Sequence, residues 1–172
     1  MFVHAYVDES YDLTIGVYIL TASIVNLDDA EDIRCTLRDL HTGHGKLHWH
    51  KSDPERRHRF SKSLSTLPAR HLTVIGRGRT GPERARRKCM EALLPALEDI
   101  GIRNAMFEAR QRVNDKHDTD TVDACRRKKL ISRLSVTFAP WGSRVAALAC
   151  RCRLWRRACR RTRRGQLSRT TR

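Results

Sequence analysis

Phe2-Val3-His4-Ala5-Tyr6-Val7-Asp8-Glu9-Ser10 is the stretch that decides the fold. Side chains alternate from Phe2 to Val7 with the two-residue period of a strand that buries one face, and the run then meets acid and hydroxyl residues. The reading is a strand that ends on carboxylates. A second run rich in β-branched and aromatic residues, 14–25, follows a short turn. The two predict an antiparallel hairpin that opens a sheet.

Working outward, Asn26 offers a helix N-cap, with Asp28, Asp29 and Glu31 in the first turn, where the helix dipole favours anions. Ile33, Leu37 and Leu40 then recur on one face up to Gly43. Lys46-Leu47-His48-Trp49-His50 is a short alternating stretch. Asp53-Pro54-Glu55 supplies a cap and an N1 proline for a basic amphipathic helix that ends near residue 67, and a strand follows at 71–76. Gly81-Pro82-Glu83 repeats that start ahead of a long helix with Cys89, Met90, Leu93, Leu94, Leu97 and Ile100 as its apolar face, Pro95 as a kink and Gly101 as its stop. Residues 102–108 read as a strand that delivers a second carboxylate, Glu108; 118–134 read as a helix and 135–138 as a brief strand. Strands alternating with helices after an opening hairpin predict an α/β layered domain, with helices packed on a mixed sheet.

Charge divides the chain. Residues 1–123 carry 19 basic and 19 acidic residues, whereas 124–172 carry 16 basic residues and no acid. From Trp141 onward there are eleven Arg, no Lys and three Cys. The organisation expected is one domain over residues 1–140 and an Arg-rich tail over 141–172. The longest apolar run, 15–25, is broken by Gly16, Thr21 and Ser23 and falls short of the ~20 residues that span a bilayer. The opening residues lack a basic leader with an apolar stretch behind it, so a cytoplasmic location is expected. Cys35, Cys89 and Cys125 read as small buried hydrophobes.

An acid at the end of a central strand points into the crevice where open α/β sheets place their sites, so Asp8 and Glu108 are expected to meet across a hundred intervening positions. Converging carboxylates suit Mg²⁺ or Mn²⁺, and such ions activate water toward a phosphodiester. The plainer reading is that strands often end in Asp because turns use it. Tyr6-Val7-Asp8-Glu9-Ser10, Lys46-Leu47-His48-Trp49 and Phe107-Glu108-Ala109-Arg110 resemble the domain-of-unknown-function family 3800 over residues 2 to about 138. The resemblance implies an RNase H-like sheet, a divalent-metal site and a nuclease or related phosphodiester-processing activity on nucleic acid. It implies Asp8 and Glu108 as metal ligands and Asp8, Glu9 and Glu108 as catalytic acids, with Ser10 also belonging to the first motif.

Members of that family usually close on a helix with an Ala-Asp element whose Asp completes the metal site, and no acid follows Asp123 here. Read one base later, codons permitted for residues 146–155 allow Leu-Leu-Trp-Leu-Ala-Asp-Ala-Val-Cys-Gly, which looks like the missing element. The expectation is an out-of-frame tail beyond roughly Pro140 and a chain without activity. The alternative is a genuine basic arm that makes the protein a non-catalytic nucleic-acid-binding module.

Other motifs carry less. His41, His44, His48 and His50 cluster within ten residues, and a strand would turn His48 and His50 to one face as Zn²⁺ ligands, but no third ligand has recognised spacing. Gly76-Arg77-Gly78-Arg79-Thr80-Gly81 lacks the ending of a phosphate-cradling loop. Arg56-Arg57-His58-Arg59 and Arg84-Ala85-Arg86-Arg87-Lys88 read as solvated helix faces or as tracks for a phosphate backbone.

Overall fold

The computed structural model describes residues 2–12, 14–40, 52–78 and 81–140. The stretch at 46–50, the histidines at 41, 44, 48 and 50, and the whole of 141–172 lie outside the described residues. Five strands and four helices follow in the order β1 (Val3–Asp12), β2 (Val17–Asn26), α1 (Ala30–Leu40), α2 (Pro54–Leu64), β3 (Ala69–Arg77), α3 (Pro82–Asp99), β4 (Asn104–Glu108), α4 (Arg112–Arg127) and β5 (Ser135–Ala139). The strands form one sheet in the order β3-β2-β1-β4-β5. β1, β2 and β3 pair antiparallel, while β4 runs parallel to β1 and β5 parallel to β4. This is the mixed α/β sheet with an opening hairpin, consistent with an RNase H-like fold.

Asp12 shapes the hairpin turn by accepting the Thr14 N–H at 2.9 Å, and Gly16 takes a φ of 69° that other residues adopt at a cost. β1 does not stop at its carboxylates. It pairs with β2 as far as Asp12, and only its parallel pairing to β4 ends at Val7. Asn26 does not cap a helix either: it pairs with Val3, and α1 begins at Ala30 after a turn in which the Asp29 N–H donates to the Asn26 carbonyl.

The start of α2 is as the sequence predicts, with Asp53 Oδ1 accepting the Arg56 N–H at 2.7 Å, although the helix ends at Leu64. α3 starts at Pro82 and stops before Gly101, whose φ is 86°. α4 starts at Arg112, six residues earlier than expected, and ends at Arg127, where Lys129 turns to a φ of 57°. Ile131 and Leu134, within the helix expected at 118–134, are buried from the connection instead.

α3 and α4 pack against each other, and α3 lies on β2 and β3. The core joins Ala5 and Val7, Leu20 and Ala22, Ala105 and Phe107 to Met90, Leu93, Leu94 and Leu97 of α3 and to Val122 and Cys125 of α4. Ile100 and Leu37 are exposed rather than packed, and Cys35 is exposed too, because α1 buries only Ala30 and Ile33. Gly76 is required by close approach, since a Cβ there would lie 2.8 Å from Cys89 Sγ. At the far end of α3, Glu98 accepts the N–H groups of Ser132, Arg133 and Leu134 and the Ser132 hydroxyl, all within 3.0 Å. Burial pushes the Glu98 carboxyl up, but these donors outweigh it and hold the carboxyl at about 2.

Candidate active site

Strand parity sorts the motif residues. Ala5 and Val7 of β1 and Ala105 and Phe107 of β4 face the α3–α4 core, so Asp8 and Glu108 both project from the opposite, outer face. The parallel register pairs Ala5 with Ala105 and Val7 with Phe107, and the two acids are the next residues along their strands. Both acids thus leave hydrogen-bonded neighbouring strands on one face, one residue beyond the last registered pair. β1 and β4 also flank the point where the chain, having laid β2 and β3 on one side of β1, crosses to the other side. Asp8 and Glu108 thus occupy the carboxyl end of a topological switch point.

Asp8 Oδ1 accepts the N–H of Glu9 at 2.8 Å, which orients its carboxylate. Along the same row of the outer face stand Thr21 and Thr73, whose hydroxyls are 3.2 Å apart, and in the next row Ser23 Oγ lies 3.1 Å from His71 Nδ1. Among the described residues no group of three or more His, Cys, Asp or Glu is gathered for a metal.

Glu9 is not brought to Asp8 and Glu108. It lies on the helix face, where its Oε2 pairs with Nη1 of Arg86. Arg86 is 2 % exposed and donates from Nε to both oxygens of Asp118, at 2.9 and 3.1 Å. Asp118, equally buried, accepts again from Arg110 Nη2 at 2.9 Å. Arg110 then grips Glu83 through two bonds of 2.7 and 3.1 Å, and His117 Nδ1 lies 3.7 Å from the same carboxylate. The network ties β1, α3, α4 and the segment after β4 together on the underside of the strand ends.

Its electrostatics follow from the pairing. The Arg110 guanidinium holds the Glu83 carboxyl below its usual range. Burial works to lower the pKa of Arg110 but is outweighed by Glu83 and Asp118, so Arg110 titrates above its ordinary value. Tyr18, buried nearby, has its phenol pushed up by burial and remains neutral. Between α3 and α4 a groove of about 610 Å³ opens, lined by Glu83, Arg87, His117 and Asp118 among others.

The Arg84–Lys88 run is therefore divided: Arg84, Arg87 and Lys88 are exposed, whereas Arg86 is a core residue. A signal for it exists in the sequence. Arg86 shares its helical phase with Cys89, Met90, Leu93 and Leu97, and Asp118 shares its own with Thr121, Val122 and Cys125, so each is a charge on an apolar stripe. Compared with protein-family models, curated proteins and solved structures, the chain finds no match in any of the three.

Proposed function

We propose that the chain is an RNase H-like protein of the metal-dependent nuclease type, in which Asp8 and Glu108 hold Mg²⁺ or Mn²⁺ against a nucleic-acid phosphodiester. The observation that supports this reading is that the two acids follow the last registered pair, Val7 and Phe107, on one face of adjacent parallel strands. The resemblance of Tyr6-Val7-Asp8-Glu9-Ser10 to family 3800 supports it. The donor set fits the ion: Mg²⁺ keeps several waters and is commonly held by one or two carboxylates, with substrate phosphates completing its shell.

A bound divalent ion supplies charge stabilisation and an activated water. The residues of the chain do the rest. Asp8, held by the Glu9 N–H, and Glu108 fix where the ion sits, and the outer face receives the substrate because α3 and α4 fill the other. No acid follows Asp123 to complete the set, so weak or absent cleavage is expected of this chain, and metal binding is the first test.

Titration of the full chain with Mn²⁺, read by the loss of the free-ion electron paramagnetic resonance signal, is expected to show binding that Asp8→Asn or Glu108→Gln abolishes. Mn²⁺-dependent cleavage of single-stranded RNA or DNA that is lost in Asp8→Asn would confirm the enzyme. Nucleic-acid binding that survives EDTA, falls steeply with salt and accompanies no Mn²⁺ binding would favour instead a non-catalytic module acting through the basic tail.

A further inference from the structure

Metal-binding carboxylates depend on what holds them. On the core side of the sheet the guanidinium of Arg86 meets the chain neighbour of Asp8 and lies over the ring of the chain neighbour of Glu108. Its Nη1 pairs with Glu9, the residue after Asp8, whose backbone N–H in turn orients the Asp8 carboxylate at 2.8 Å. Its Cζ lies 6.0 Å from the ring centroid of Phe107, the residue before Glu108. Val7 and Phe107 form the last registered pair between the two strands, one residue short of each acid.

We infer that Arg86 is a positioning residue for the metal site: reaching up from α3, it clamps β1 and β4 where their parallel pairing ends and so sets the separation of Asp8 and Glu108. This rests on the proposed function and deepens it. The clamp suits arginine. A planar guanidinium can stack on a ring and bond two carboxylates at once, whereas the lysine ammonium is a point charge without that fork. Arg86 is itself held from behind by the two bonds to Asp118, which fix the plane that Phe107 meets.

The test compares Mn²⁺ affinity in the full chain with folding monitored by circular dichroism. Arg86→Lys keeps the charge and loses the plane; Phe107→Leu keeps the volume and loses the ring. Each is expected to weaken Mn²⁺ binding roughly 10–100-fold, as loss of a ligand's supporting partner does. Leu93→Ala, a fully buried α3 residue away from the strand ends, is expected to lower stability while leaving Mn²⁺ affinity at the wild-type value. That contrast separates positioning from general support. Where Arg86→Lys does not fold, Phe107→Leu and Glu9→Gln carry the comparison. Wild-type protein that binds Mn²⁺ no better than Asp8→Asn overturns the metal-site reading and this inference with it. Binding that Asp8→Asn destroys but that Phe107→Leu and Glu9→Gln leave within threefold of wild type overturns the inference alone.

Discussion

Asp118→Ala is the most informative single change for the network under the sheet. Asp118 is 2 % exposed and receives three bonds of 2.9–3.1 Å from two guanidinium groups. Removing it leaves Arg86, equally buried, with Glu9 as its one remaining carboxylate, while Arg110 retains Glu83. Breaking a buried ion pair by deleting one partner costs about 3–5 kcal/mol, and the surviving partners argue for the lower end, about 3 kcal/mol. For a chain of this length that corresponds to a fall in Tm of roughly 6–12 °C. Urea denaturation followed by far-ultraviolet circular dichroism measures it. Replacing both partners, Arg86→Met with Asp118→Leu, removes the stranded charge, so the double variant is expected to cost less than the sum of its singles by about 2 kcal/mol. A cost for Asp118→Ala below about 1 kcal/mol, or strict additivity in the pair, would refute the claim that Arg86 depends on Asp118 for its charge.

The Glu98 clasp predicts an acid limb in stability: its folded pKa of about 2 lies below the ordinary 4.5, so its contribution is complete above pH 4.5 and is lost as the pH falls toward 2. Urea midpoints measured between pH 5 and 2.5 should therefore fall more steeply for wild type than for Glu98→Gln. At Gly76, alanine would meet Cys89 Sγ, and Gly76→Ala should lose roughly 1–3 kcal/mol by overpacking, with Cys89→Ala in the same chain restoring most of it. In the Mn²⁺ titration, Glu108→Gln should abolish binding as completely as Asp8→Asn, since neither carboxylate alone makes the site.

Much of the fold could be read from one face at a time. The two-residue period of β1 and β2, the Pro82 start of α3 and the Gly101 stop each reflect a local constraint that the structure keeps. Elements failed where a local signal met a stronger distant one. Asn26 has the chemistry of a cap, but pairing with Val3 draws it into the sheet. The first turn of α4 shows no apolar period because its one aliphatic residue, Val113, faces solvent. Of the site, the shared outer face of Asp8 and Glu108 follows from strand parity, although β1 runs on to Asp12, past the point where the sequence reads its end. The network beneath was not legible. Arg86 lies within a run of basic residues that looks like a solvated surface, and its burial is settled by Glu9 and Asp118, which arrive from β1 and from 32 positions further on. Charges on an apolar helical stripe were the available sign.

The strand order has a consequence for how the chain is made. β1 leaves the ribosome first and finds β2 within seconds, but its parallel neighbour β4 is synthesised a hundred residues later, roughly 5–20 s at ordinary elongation rates. Until then one flank of the sheet's middle strand presents unsatisfied amides and carbonyls, a template for joining any other extended segment in reach. The newborn hairpin is thus the stage most exposed to misassembly, and the same delayed closure that ends this exposure is what first sets the strands of Asp8 and Glu108 next to each other.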